Sequence, residues 1–322
     1  MRIGSRLAVS AAVAVGVVVA STQGAEAATT GYYNTYSDVV DTPDTGGITA
    51  EQGFAAGTTY LYTVKISNST NHSVIYRANK NGDSPAQVMT NGDTGTNYNT
   101  YLGHANDIAL AKIGDDFYFF IVTLDASGSS QLVKLRYDGA TYYKVGSYAI
   151  KYDGSTVAPS GVSVVSTSST SVSFLFKSGA RVYTGGSIGV GAATGTIALT
   201  REPFLLDKAH ALVNGATVSD IGDFTDQGFY YDAARKTLYY PLTNANRSIV
   251  LVYENVNVTS TGILTSDPDL SFRITSSMYD KFEIEGVGVS PGDNRLYFST
   301  NRSSTADGAD DGFHVFKGYI AS

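Results

Sequence analysis

Phe282-Glu-Ile-Glu-Gly-Val-Gly-Val-Ser-Pro-Gly-Asp-Asn-Arg-Leu-Tyr-Phe-Ser-Thr-Asn-Arg302 is the stretch that decides the fold. It contains a run of small and apolar residues, Gly286–Val289, a turn cluster, Ser290–Asn294, and a second apolar run, Leu296–Phe298. Two apolar runs separated by Pro, Gly, Asp and Asn are typical of a β-hairpin. We therefore predict a hairpin whose first strand is built from small residues.

The same pattern occurs five times along the chain. The equivalent points recur at steps of roughly 54 to 67 residues, a range typical of propeller blades or arrays. They are Gly53, Asp107, Gly161, Gly228 and Gly286. A third apolar run follows each hairpin; these runs are Val74–Arg77, Gln131–Tyr137, Arg181–Tyr183, Ile249–Tyr253 and His314–Lys317. Blades of three or four antiparallel strands can close on themselves with only short edges, so we predict an all-β, five-bladed β-propeller. A two-sheet β-sandwich is the alternative, but it does not predict the regular return of the small-residue strand.

Two further elements are expected from the ring. Tyr32–Tyr36 is predicted to close the last blade beside His314–Tyr319, since the two chain ends of a closed propeller often share a blade. Pro203–Leu212 is the one plausible helix, and its insertion would explain the longest step between repeats.

The N-terminus has the pattern of a secretory signal. Arg2 and Arg6 precede an uncharged apolar run, Leu7–Ala20, and Ala25-Glu26-Ala27 fits the small-x-small cleavage rule. We therefore expect a secreted, extracellular protein with residues 1–30 as signal and residues 31–322 as a single propeller domain. The run is too short for a confident membrane span, and no later stretch is long enough.

The amino-acid composition limits what can stabilise the fold and which kinds of partner the protein can bind. The chain has no cysteine, so a secreted fold of this length must rely on packing and strand pairing. The formal net charge is −7 and no stretch is polybasic, which argues against a nucleic-acid partner. A monomer is expected.

Polar residues precede or begin several of the small-residue strands. If these strands are innermost, their first residues converge at one mouth of the central channel. The convergent residues are Gln52, His104, Asn106, Asp107, Asp226, Gln227, Glu283 and Glu285. Small neighbours such as Gly53 let the strands approach a crowded axis.

Such a ring has four possible roles. It can bind a polar ligand through Gln52, His104, Asn106, Asp107, Asp226, Gln227 and Glu285. It can cleave a glycosidic bond with Asp107, Glu283 or Glu285, since that chemistry needs one protonated and one ionised carboxyl group. It can hold a metal ion through His104 with a carboxylate, or it can be purely structural. Calcium is the metal to expect, because it prefers oxygen ligands, and the polar loop 301–312 with Asp307 and Asp310 is a second candidate for it.

The chain resembles the helveticin J family of large secreted bacteriocins. The residues that carry the resemblance are Gln52-Gly53-Phe54 with Tyr60-Leu61-Tyr62, Asn71-His72 to Tyr76-Arg77, Leu102-Gly103-His104-Ala105-Asn106-Asp107, and Glu285-Gly286. The resemblance implies a secreted, heat-sensitive protein that acts against related bacteria by engaging their surface.

The main functional prediction combines these observations. We expect a propeller that binds a carbohydrate or cell-wall polymer of other bacteria at its channel mouth, with an antibacterial role by resemblance. The alternatives are a secreted glycan-cleaving hydrolase that uses the channel carboxylates and a non-catalytic surface scaffold.

Overall fold

The structure is a computed structural model that describes residues 36–124, 131–213, 215–275, 278–303 and 311–320. The predicted signal, residues 1–30, lies outside the described residues, as do Asp307 and Asp310. Within these ranges the one helical element is a 3-10 turn, Ile221–Asp223. No helix there has the length and apolar character that a membrane crossing needs.

Strands make up most of the described chain. In chain order they are β1 (Tyr36–Thr42), β2 (Ala50–Ala56), β3 (Tyr60–Ile66), β4 (Ser73–Asn79), β5 (Gln87–Val88), β6 (Thr90–Asn91), β7 (Asp107–Ile113), β8 (Asp116–Val122), β9 (Gln131–Asp138), β10 (Thr141–Tyr152), β11 (Ser155–Thr156), β12 (Gly161–Thr167), β13 (Ser171–Ser178), β14 (Arg181–Gly189), β15 (Thr194–Leu199), β16 (Phe204–Asp207), β17 (Leu212–Val213), β18 (Ala216–Thr217), β19 (Thr225–Asp226), β20 (Tyr230–Asp232), β21 (Thr237–Asn244), β22 (Arg247–Tyr253), β23 (Ile263–Thr265), β24 (Phe272–Thr275), β25 (Lys281–Val289), β26 (Arg295–Ser303) and β27 (Asp311–Ile320).

The described strands form five sheets of four or more strands and one two-stranded ribbon, β17-β18. Sheet I has the order β2-β3-β4-β5, and sheet II has the order β7-β8-β9-β10-β11 with β6 and β15 added beside β10. Sheet III runs β12-β13-β14-β16-β23, sheet IV runs β19-β21-β22-β24 with β20 paired to β21, and sheet V runs β25-β26-β27-β1. The predicted hairpins and third strands are all present.

The first strands of the sheets form a closed ring. β2 contacts β7, β7 contacts β12, β12 contacts β20, β20 contacts β25, and β25 returns to β2. The apolar clusters lie between successive sheets; one of them joins residues of sheets II and III, and another joins residues of sheets I and II. Sheets that radiate from a central ring of strands define a β-propeller, so the chain is an all-β propeller.

Glycines permit the close approach at the axis. A Cβ atom on Gly53 would lie 2.5 Å from the Cα atom of Asp107, and one on Gly286 would lie 2.8 Å from the Cβ atom of Phe54. Real Cβ atoms do not come this close to neighbouring atoms. Gly53 and Gly286, two of the points that marked the repeats in the sequence, are therefore needed for this close approach.

An N-terminal strand completes the last sheet beside the C-terminal strand, as predicted. β1 pairs with β27, with Tyr36 opposite Phe316 and Asp38 opposite His314. The described strand is Tyr36–Thr42, and Val40 packs against the cluster that contains Phe313; of the predicted range Tyr32–Tyr36, residues 32–35 lie outside the described residues.

The helix predicted for Pro203–Leu212 is wrong. Phe204–Asp207 is strand β16, in which Phe204 and Leu206 are buried while Leu205 is 37% exposed. This alternation has the period of a strand. β16 pairs with β14 and β23, so the insertion extends sheet III instead of adding a helix.

Candidate functional site

A polar cavity of about 710 Å³ opens at the end of the ring where the inner strands begin; we call it the polar mouth. All five sheets, or the loops that lead into them, contribute to its wall. The predicted residues that line it are Gln52, His104, Asn106, Asp226, Gln227, Glu283 and Glu285. The convergence predicted from the repeats is thus observed, while a role of these residues in binding stays a prediction.

Asp107 does not line the polar mouth. Its side chain is 1% exposed and accepts hydrogen bonds from the backbone N–H groups of Ile108 at 2.9 Å, Val162 at 2.9 Å and Phe229 at 3.2 Å. Burial raises the pKa of Asp107 to about 8, although the three N–H groups act in the opposite direction. Asp107 was predicted to bind ligand or to act in catalysis at the mouth. The neighbouring inner strands cover it, so its side chain instead joins three sheets.

Glu285 is aimed into the polar mouth by a β-bulge. The register of β25 against β26 shifts between Ile284 and Gly286, and bulges commonly redirect a side chain next to a functional site. The side chain is 3% exposed. Burial raises the pKa of Glu285 well above its usual value, and the nearby charge and hydrogen bond of Glu283 add to the shift. Glu283 in turn forms a 2.8 Å ion pair with Lys281.

Asp226 lies in the same cavity with the opposite protonation behaviour. Burial alone would raise its pKa, but the hydrogen bond from Tyr240 and the charges of Lys177 and Lys208 lower the pKa of Asp226 overall. The Tyr240 hydroxyl donates at 2.5 Å and the Lys208 Nζ atom lies at 3.0 Å from the carboxylate. The polar mouth thus contains two carboxyl groups, Glu285 and Asp226, whose pKa values are shifted in opposite directions.

Lys177 supports this wall from behind and was missed by the sequence analysis. Its Nζ atom donates to the Ser160 hydroxyl at 3.0 Å and lies 5.0 Å from the centre of the Tyr240 ring. Burial lowers the pKa of Lys177 to about 8, while Asp226 and Asp107 act in the opposite direction. The available signal was a single lysine near the end of the otherwise uncharged strand Ser171–Ser178.

A second buried lysine, Lys65, stands at the opposite wall and was also missed. Its Nζ atom lies 2.7 Å from Asp44 and 3.2 Å from Asp311, both of which line the polar mouth. Burial raises the pKa of Asp311 to about 6 against the effect of Lys65. Burial also raises the pKa of the neighbouring Glu51, whose carboxylate accepts a hydrogen bond from Thr42.

The metal sites predicted from the sequence have candidate ligands both inside and outside the described residues. No three His, Asp or Glu side chains are grouped there in a way that would hold a metal ion. His104 lines the polar mouth, and burial lowers its pKa. Asp307 and Asp310 lie outside the described residues, so the calcium site predicted for their loop stays a prediction.

Comparison with known proteins gives structural similarity only. No family model and no curated protein matches the sequence. A GH43_1 enzyme from Xanthomonas citri complexed with xylotriose superposes with a TM-score of 0.47 at 10% identity, over 89% of this chain and 93% of that chain. The α-L-arabinofuranosidase PaAbf62A from Podospora anserina gives 0.46 at 8% identity, over 88% and 97%. A fucose-specific lectin from Aleuria aurantia gives 0.36 at 8% identity, over 84% and 80%. The propeller assignment rests on the strand contacts described above.

Proposed function

We propose that the protein is a five-bladed propeller, with one blade for each strand of the inner ring, whose polar mouth binds a glycan and hydrolyses a glycosidic bond. The observation that carries the proposal is the pair of carboxyl groups, Glu285 and Asp226, in one polar cavity with opposite pKa shifts. Carboxyl groups whose environments push their pKa values apart are the usual acid and base of such a site.

Each carboxyl group has a defined task in this proposal. Glu285, whose raised pKa favours the protonated form, donates a proton to the oxygen atom of the departing sugar. Asp226, kept ionised beside Lys177 and Lys208, attacks the anomeric carbon or takes a proton from a water molecule that attacks it.

Substrate recognition falls to the uncharged polar groups of the same wall. Gln52, Asn106 and Gln227 carry amides, which both donate and accept hydrogen bonds. Sugar hydroxyl groups have the same dual capacity. A cavity of about 710 Å³ has the size of an ordinary small-ligand site and accommodates a few sugar rings.

The test is hydrolysis by the protein and three variants. Release of reducing ends is measured on bacterial cell-wall material, on xylan and arabinan, and on aryl glycosides. We expect Glu285→Gln and Asp226→Asn to lower kcat at least 100-fold, the usual contribution of a positioned acid or base. Glu254→Gln, an exposed residue outside the polar mouth, is the matched control and should leave the rate unchanged. Full activity in either mouth variant would overturn the proposal.

A glycan-binding propeller without catalysis is the second candidate. Glu285 and Glu283 are hydrogen-bonded neighbours, and a glycosidase pair needs roughly 5 to 9.5 Å between its carboxyl groups. These two residues therefore do not form such a pair by themselves. If no substrate is cleaved, calorimetric binding of wall glycans that is lost in Gln227→Ala supports this candidate.

The biological setting is proposed separately from the chemistry. We propose that the protein is secreted and engages the surface of other bacteria, in line with its resemblance to the helveticin J family. The observation that supports a surface ligand is the open, polar character of the mouth. Growth inhibition by the purified protein, compared with that by Glu285→Gln, would test whether any antibacterial effect depends on the polar mouth.

A further inference from the structure

A second cavity of about 760 Å³ lies at the opposite end of the ring; we call it the aromatic mouth. It is lined by inner strands along much of their length, including Val164 in the middle of β12 and the far ends of β2 and β7 at Ala56 and Lys112. Asp107 lines neither cavity and bonds to backbone N–H groups of Val162 and Phe229, which line the aromatic mouth. The two mouths are therefore separate sites.

The wall of the aromatic mouth is rich in rings. Its aromatic residues are Phe54, Tyr60, Tyr62, Phe117, Tyr137, Phe229, Tyr230 and Tyr231. The ring centres of Tyr62 and Phe117 lie 5.5 Å and 5.7 Å from that of Tyr137, which gives a continuous aromatic surface. Phe117, which belongs to this surface, is 43% exposed. Such a surface favours a flat or apolar body.

Two cations stand over these rings. The Arg77 guanidinium lies 4.5 Å from the centre of the Tyr60 ring, and the Lys112 Nζ atom lies 5.5 Å from the centre of the Phe117 ring. No described carboxylate forms an ion pair with either cation. Asp138 is the one carboxylate among the lining residues, so the local charge is positive in a chain of net charge −7.

We infer that the aromatic mouth is a second binding site, for an amphipathic anion with an aromatic or alkyl body and one carboxylate or sulfonate group. The body packs on Tyr60, Phe117 and Tyr137, and the anion lies beside Lys112 and Arg77. The polar mouth is more acidic, since five carboxyl residues and only two cations, Lys281 and Arg302, are among its lining residues; the carboxyl residues are Asp44, Asp226, Glu283, Glu285 and Asp311. An anionic amphiphile is therefore directed to the aromatic mouth by both charge and surface. The inference is independent of the function proposed for the polar mouth.

The test is a fluorescence titration with 8-anilinonaphthalene-1-sulfonate, an aromatic sulfonate, on the folded full domain. We expect saturable binding of one probe per chain and displacement by dodecanoate but not by dodecyltrimethylammonium. Lys112→Glu should weaken binding about 10-fold, which corresponds to about 1.4 kcal/mol, because it replaces the attracting charge with a repelling one. Phe117→Ala should weaken binding by a similar factor.

Two matched variants test whether the probe binds non-specifically to the surface of the protein. Lys151→Glu reverses an exposed lysine and Ile263→Ala truncates a side chain that is 66% exposed, both away from the aromatic mouth. These should bind the probe like the unchanged protein, and circular dichroism should show the same fold in all four variants. Leu110→Trp, which fills the cavity, should abolish binding. Absence of saturable binding, or equal effects of the matched and mouth variants, would overturn the inference.

Discussion

A single carboxyl group, Asp107, joins three sheets at the centre of the ring. Its position was predictable from the repeats, but its role was not. The sequence places it one residue after Asn106, which does line the polar mouth, and only the approach of Val162 and Phe229 from other sheets buries it. Burial by distant segments leaves no local pattern in the sequence. The buried lysines, in contrast, do show a local pattern in the sequence. Lys65 and Lys177 are each the single charged residue near the end of an apolar strand.

Asp107 should make the stability of the protein depend on pH. Its pKa is about 8 in the folded state and near 3.8 when unfolded, so the folded state binds the extra proton. Stability from this group is complete below about pH 4 and is lost as pH rises through about 8. Asp107→Asn removes the titration and keeps one of the two acceptor oxygens; its amide NH2 group then faces a backbone N–H donor, so a pH-independent loss of stability is also expected. Between pH 5 and 8, the free energy of unfolding of the unchanged protein should fall by up to about 1.4 kcal/mol per pH unit because of this group. We expect Asp107→Asn to lose this dependence, as measured by denaturant titration at several pH values.

The matched control for this slope is Glu254→Gln, which changes an exposed carboxyl group. It should leave the slope as it is in the unchanged protein. An unaltered slope in Asp107→Asn would show that the buried carboxyl does not take up a proton on folding.

Gly53 should tolerate no side chain. An added Cβ atom would lie 2.5 Å from the Asp107 Cα atom, and backbone atoms cannot move aside cheaply. Gly53→Ala should destabilise the protein by about 1–3 kcal/mol or more, as overpacking does, in a thermal melt. Gly222→Ala is the control, because nothing lies within 4 Å of its Cβ position. Equal melting temperatures for the two variants would mean that the ring is looser at the axis than described.

At the scale of elements, the closing strand depends on charge as well as on strand pairing. Arg302 is 6% exposed and lies 3.1 Å from Asp38 and 2.6 Å from Asp41 of β1. The pKa of Asp38 is lowered to about 2, chiefly by its hydrogen bond with His314. The sequence predicted that an N-terminal strand completes the last blade. The ion pairs of Arg302 could not be predicted, because Asp38 and Asp41 are more than 250 positions away from it in the sequence.

Removal of β1 should destabilise the protein strongly. A chain that begins at Asp44 lacks two carboxylate partners of the buried Arg302 and all the strand pairing of β1 with β27. We expect a lower denaturation midpoint and faster amide exchange in β27. A chain that begins at residue 31 retains β1 and is the control. If both chains melt alike, β1 is not the closing element.

At the scale of the whole molecule, repetition made much of the fold predictable. The recurring small-residue strand gave the inner ring, and the ring brought polar residues distant in sequence to one mouth. The segment inserted between the third and fourth repeats was wrongly predicted to be a helix. A short apolar run such as Phe204–Leu206 does not distinguish a helix from a strand by its composition. The opposite mouth was not foreseen as a site, because its aromatic residues also fit the interior of strands.

The pH dependence of glycan hydrolysis tests the central claim most directly. Catalysis requires Glu285 protonated and Asp226 ionised. Burial holds the pKa of Glu285 well above its usual value, while Tyr240, Lys177 and Lys208 hold that of Asp226 below its own. We predict a bell-shaped dependence of kcat/KM on pH, in which the rate falls at low pH as Asp226 is protonated and falls at high pH as Glu285 is deprotonated. A rate that rises steadily with pH, or a profile identical in Asp226→Asn, would contradict the account.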